Sequence, residues 1–75
     1  MPPEAEPVFQ RLRAWRAATA REENKAPFII FHDSTLRQIA TIQPSTLDDL
    51  ATISGVGEQK LAKYGQAVLN ALATE

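Results

Sequence analysis

Along most of this chain the large apolar residues recur at helical spacing. In VFQRLRAWRAATAREEN, from Val8 to Asn24, they fall at Phe9, Leu12 and Trp15, and Ala18 and Thr19 continue that side. No Gly or Pro interrupts the stretch, so it predicts a first helix. Pro7 suits the helix entry. NKAP ends it, because the residue before Pro27 is pushed out of the α region. Arg11, Arg13, Arg16 and Arg21 occupy other parts of the helix surface.

FIIF (28–31) is an unbroken apolar run. Periodicity alone allows a buried strand, but no partner strand is visible, which favours a buried extended or 3₁₀ connector that pins the loop onto the helices. HDSTLRQIATIQ then predicts a second helix with Asp33 as its N-cap and Leu36, Ile39 and Ala40 inward, ending before Pro44. In PSTLDDLATI, Thr46 with Asp49 makes a weak capping box, and Leu47, Leu50 and Ile53 form a stripe over about two turns. SGVG breaks this third helix. EQKLAKYGQAVLNALA places Leu61, Tyr64, Val68, Leu69 and Leu72 on one side. Gly65 inside that pattern costs roughly 1 kcal/mol against Ala, so it marks either a break into two helices or a close packing contact.

These elements predict an all-α fold, a small single-domain bundle of four to five short helices over residues 8–75. Residues 1–7, MPPEAEP, hold three of the five prolines and two glutamates. They predict a linker or flexible arm, as in a piece of a longer protein.

Composition narrows the function. The chain has 75 residues, 44% hydrophobic and 23% charged, enough for one domain with a modest core. It has no cysteine, so packing alone must hold the core. Eight Lys and Arg against nine Asp and Glu give a net charge of −1. A dedicated nucleic-acid binder is usually basic, so any DNA contact is expected to be weak, local and salt-sensitive. No apolar run approaches the ~20 residues of a membrane span, and no signal-peptide pattern leads the chain. An intracellular module is the expectation.

The stretch with the most candidate chemistry is SGVGEQKLAKYG, Ser54 to Gly65. Gly55 and Gly57 can each supply positive φ, and Gly57 suits the N-cap of the last helix. Free N–H groups there, with Lys60 one turn in, can hold a phosphate. Equally, the turn can be a corner between helices with Val56 plugging the core, and Glu58 would repel a phosphate. Lys25, Arg37, Lys60 and Lys63 form a basic patch if the fold gathers them. Phe28 is either core or an exposed platform for a base. Trp15 and Tyr64 read as core. His32 stands alone, which gives no metal or general-base constellation. Asp48 and Asp49 complement the dipole of the third helix and, with Glu58, make an acidic edge that a basic protein partner can read. There is no catalytic triad, Walker-type loop or acidic metal cage, and no cofactor is expected.

Taken together, PFIIFHDSTLRQIA and LDDLATISGVGEQKLAKYGQAVLNAL resemble an HRDC domain, the module named for helicase and RNase D C-terminal regions. The resemblance rests on Phe28 to Phe31, Asp33, Thr35 and Leu36, then on Gly55, Val56, Gly57, Lys60, Leu61, Tyr64 and Gly65. Phe9, Leu12, Trp15 and Arg16 of the first helix also fit, so it covers about residues 8–73. One departure is Thr19, where the family often has a large aliphatic.

The resemblance implies a non-catalytic auxiliary domain of a RecQ-type DNA helicase or an RNase D-type exoribonuclease, with the G-V-G segment favouring RecQ. It implies a monomer that adjusts substrate choice in DNA repair and recombination, in the bacterial cytoplasm with the nucleoid, or in a eukaryotic nucleus. Some family members contact single-stranded or branched DNA weakly, which points to Lys25, Phe28, Arg37, Gly57, Lys60 and Lys63. Others dock on proteins, which points to Asp48, Asp49 and Glu58 meeting the helicase core or another partner.

Overall fold

The computed structural model describes residues 2–74. Five α-helices follow a 3₁₀ turn at Pro3–Ala5: α1 (Glu6–Glu23), α2 (Pro27–Ile30), α3 (Asp33–Ile42), α4 (Leu47–Ala51) and α5 (Glu58–Ala73). No strand occurs among the described residues, so the architecture is all-α as expected. No helix among them is long and apolar enough to cross a membrane.

α1 is the spine. It packs against α2, α3 and α5, while α4 lies on α5. The side chains of Leu12, Ile30, Phe31, Leu36, Ile39, Leu50 and Val68 are fully buried between these helices. Burying each contributes about 1.5–3 kcal/mol before the cost of ordering the chain. Packing therefore carries the fold without disulfides.

The ordered structure begins earlier than the proline-rich composition suggests. Ala5 is buried in the core, and the 3₁₀ turn packs on α1 and α3. α1 starts at Glu6, ahead of Val8, with Pro7 in its first turn. The N–H that proline lacks would have had no partner at that position, so the helix tolerates it.

α1 ends on Asn24, which takes the left-handed conformation at φ 58°. The Lys25 N–H returns to the Ala20 carbonyl at 2.9 Å, closing a capping turn. Of the apolar run that follows, Phe28 to Ile30 lie in one α-helical turn, and only Phe31 is extended. That turn sends Ile30 and Phe31 inward and leaves Phe28 and Ile29 60% and 48% exposed.

Asp33 is not the N-cap expected of it. His32 occupies that position without a capping side chain, and Asp33 is the first residue of α3. Its carboxylate pairs instead with Arg16 Nη2 at 2.7 Å. Arg16 is buried, and its Nη1 donates to the Phe31 carbonyl at 2.8 Å. A buried guanidinium left unpaired would be costly, so the aspartate serves as counter-ion.

Thr46 caps α4 as its sequence suggests, its hydroxyl accepting from the Asp49 N–H at 3.1 Å. α4 is shorter than the expected two turns, and Leu47 is exposed while Leu50 and Ile53 are buried. α5 runs unbroken through Gly65. A Cβ there would come 2.7 Å from Leu47 Cδ2, so this glycine allows the close approach of α4. Across the domain, Arg11 Nε and Nη2 donate to the Ala71 and Leu72 carbonyls at 3.4 and 3.3 Å. That contact satisfies the open carbonyl end of α5 and complements its dipole.

Candidate nucleic-acid interface

The last turn of α1, the single turn of α2 and the first turns of α5 meet at one corner of the bundle. Its centre is aromatic. Tyr64 packs edge-on against Trp15 and Phe31, with ring centroids 5.9 Å apart in each case. Trp15 also lies 6.0 Å from Phe31. These rings fix where the charged side chains around them can go.

Glu23 is the hub of that charged ring. Its Oε1 accepts the Tyr64 hydroxyl at 2.7 Å and Lys63 Nζ at 3.0 Å, and it pairs with Lys25 Nζ at 3.2 Å. The hydrogen bond from Tyr64, then that from Lys63, holds the carboxyl at about 2, well below its ordinary 4.5. Its bond to Glu23 raises Lys63 in turn. Burial, and then the same carboxylate, pushes the Tyr64 hydroxyl up. Glu23 is therefore ionised, and Lys63 charged, at any physiological pH.

Lys60 is placed differently. Its Nζ lies over the face of Phe31, 5.5 Å from the ring centroid, and it forms no ion pair among the described residues. Lys60 is half-buried, and its stem covers the edge of the core. Phe28, three residues before Phe31, is exposed and stacks on His32, with centroids 6.2 Å apart and planes at 28°. The choice left open by the sequence is thus decided for this residue: Phe28 is surface, and Phe31 is core.

Contacts link Lys25, Glu23, Lys63, Tyr64, Phe31 and Lys60 into one chain, with Phe28 close by along the backbone. Arg37 stands apart from it. Its guanidinium sits 5.3 Å from the centre of the Phe9 ring, beside Arg13 at 5.8 Å. Phe9 and Glu23 lie near opposite ends of α1, about 21 Å apart along the axis at about 1.5 Å per residue. Arg37 thus belongs to a second basic group, with Arg13, which sequence reasoning did not single out.

The G-V-G turn makes a tight corner ahead of α5. Val56 is buried, and its N–H returns to the Ile53 carbonyl at 3.1 Å. Gly55 has φ 92° and Gly57 φ −76°, so only the first glycine uses its freedom to take positive φ. Gly57 does form the N-cap of α5, one turn ahead of Lys60, with no capping side chain. Asp48 and Asp49 in the first turn of α4, and Glu58 in that of α5, are all exposed.

Glu23 was the residue missed. At the end of a polar run, AREEN, nothing in local sequence distinguishes it from Glu22; its partner Tyr64 is remote in the chain. The Arg16–Asp33 pair was missed for the same reason.

Comparison with known proteins puts this geometry in context. A model of the HRDC domain family matches residues 5–72. The ATP-dependent DNA helicase RecQ of Bacillus subtilis is 46% identical over 66 residues, covering 88% of this chain and 11% of that protein. The ATP-dependent DNA helicase UvrD2 of Mycobacterium tuberculosis is 39% identical over 64 residues, 85% of this chain and 9% of that protein. The chain thus spans only about a tenth of the length of these relatives. Among solved structures, HRDC domain 3 of D. radiodurans RecQ superposes with a TM-score of 0.84 at 34% identity, covering 87% of this chain and 86% of that one.

Proposed function

The chain belongs to the HRDC domain family, and from that premise we propose that it is an auxiliary regulatory domain of a RecQ-type DNA helicase. HRDC domains are non-catalytic accessories, so its contribution is to substrate choice and unwinding. It makes a weak, salt-dependent contact with single-stranded or branched DNA. The observation that carries this reading is the exposed Phe28, three residues along the chain from Lys25 and from Phe31, whose ring carries Lys60. An aromatic that stacks on a base contributes about 1–3 kcal/mol, and nearby lysines supply the phosphate contacts. Gly57 opens the first turn of α5 towards the same phosphate as Lys60. Arg37, with Arg13, is a second contact for a longer or branched substrate. The domain acts as a monomer wherever its helicase meets DNA, which for a bacterial parent is the cytoplasm with its nucleoid. The helicase relatives favour that parent over an RNase D-type exoribonuclease.

Fluorescence anisotropy of a labelled oligonucleotide at low salt, single-stranded and then branched, tests the reading. Saturable binding that weakens with salt is expected. Lys60→Glu lowers affinity for every sequence. Phe28→Ala lowers it by about 1–3 kcal/mol without altering the salt slope. The same substitution leaves thermal unfolding nearly unchanged, because this side chain is 60% exposed. Absence of binding at hundreds of micromolar protein, or equal binding by wild type and Lys60→Glu, overturns the assignment.

A second reading has its own observation. Lys25 and Lys63 are already paired internally, and Asp48, Asp49 and Glu58 are exposed on a chain of net charge −1. In that reading the acidic edge docks on the helicase core or another protein. Charge reversal at Asp48 and Asp49 would then abolish regulation of unwinding and leave oligonucleotide binding intact.

A further inference from the structure

We propose that Glu23 sets the upper limit of this domain's DNA affinity, by holding Lys25 and Lys63 in an internal ion-pair cluster that a phosphate must break. The proposal rests on the DNA-binding reading above and adds the residue that controls it. One carboxylate oxygen takes both lysines, at 3.2 and 3.0 Å, together with the Tyr64 hydroxyl at 2.7 Å. Tyr64 is itself clamped between Trp15 and Phe31, so its hydroxyl anchors the carboxylate to the core. The lysine side chains are 40% and 54% exposed and that of Glu23 only 23%, so the cations face solvent and the anion sits behind them.

This arrangement presents two ammonium groups to an approaching backbone with one of their two charges already offset. Lys60, half-buried over the Phe31 ring, has no acidic partner among the described residues for a phosphate to displace. A phosphate reaches the other two only by competing with Glu23. Losing the Glu23 charge frees both lysines and removes an anion that repels DNA.

Glu23→Gln is the variant of choice, because its amide oxygen still accepts from the Tyr64 hydroxyl. Thermal unfolding and circular dichroism establish that it folds. Anisotropy titrations of a labelled single-stranded oligonucleotide across a salt series then compare it with wild type. The expected result is tighter binding at low salt with a steeper salt slope. Two added phosphate contacts steepen log K against log salt by roughly 1.4, so the gain over wild type shrinks roughly 7-fold between about 50 and 200 mM salt.

If the Glu23→Gln curves superimpose on wild type, or lie weaker, while Lys60→Glu still reduces binding, the proposal is overturned and the DNA-binding reading stands. If neither wild type nor Glu23→Gln binds at any salt, both fall. Should Glu23→Gln fail to fold, Lys63→Gln and Lys60→Gln decide it. The first is expected to lower affinity less than the second, and equal losses overturn the proposal.

Discussion

Gly55→Ala isolates what the G-V-G turn requires. The Val56 N–H bond to the Ile53 carbonyl, at 3.1 Å, closes a four-residue turn with Gly55 in its third position. The φ of 92° there matches a type II turn, which calls for glycine or asparagine at that place. An alanine holding this φ is strained by about 1–2 kcal/mol. Its methyl would also run into Thr35 Oγ1, on a buried side chain of α3 that donates to the Ser54 carbonyl at 3.4 Å. Displacing Thr35 forfeits that bond, worth about 1 kcal/mol.

The total loss is about 2–3 kcal/mol, which for a domain of this size lowers the unfolding midpoint by about 10–20 °C. Gly57→Ala is the internal control. Nothing lies within 4 Å of a Cβ at that position and its φ is −76°, so only a weaker N-cap is at stake. That costs from a few tenths up to about 1 kcal/mol. Thermal melts of the two variants, followed by circular dichroism, give the comparison. Equal midpoints would refute the claim that only the first glycine is conformationally required.

Two further outcomes follow from the ion pairs and caps. Glu23 is held at about 2 in the folded chain against an ordinary 4.5, and Asp33, bonded to Arg16, lies below its ordinary 3.8. Because folding depresses both, their stabilisation is complete above the ordinary values and is lost as pH falls through the folded ones. The urea midpoint should therefore drop between about pH 4.5 and 2, and Glu23→Gln should flatten its share of that drop. A midpoint unchanged down to pH 2 would refute the pairing. Arg11→Met keeps the apolar stem but removes the two donors to Ala71 and Leu72, at 3.4 and 3.3 Å. The expected cost is about 0.5–1 kcal/mol, or about 3–6 °C, read by the same melts. An unchanged midpoint would mean that these long contacts add nothing.

The helices of this chain are legible in its sequence because their signals are local. Phe9 and Leu12 recur at 3.6-residue spacing, Thr46 supplies its own cap to Asp49, and Gly57 sits where α5 begins. Each depends on residues within one or two turns, so no tertiary information is needed to read them. The burial of Val56 was only one of two readings that the sequence left open for the G-V-G turn.

The site was legible only as a set of residue types. Lys25, Phe28, Lys60 and Lys63 could be named, but their grouping depends on how α1, α2 and α5 pack. The exposure of Phe28 depends on whether the FIIF run winds or extends, and a one-turn helix divides four apolar residues between core and solvent where a strict strand alternation would divide them differently. Asp33 shows the same limit: as a local signal it is a cap, yet a buried guanidinium seventeen residues earlier in the chain (Arg16) claims it with a 2.7 Å ion pair.

Sequence alone thus determined the all-α class, most of the helix positions, the family pattern and the near-neutral charge. Tertiary structure decided which charges cancel. Glu23 meets Tyr64 and Lys63 only because α1 and α5 pack side by side. Charge pairing is a property of distance in space, and local pattern reports only distance along the chain.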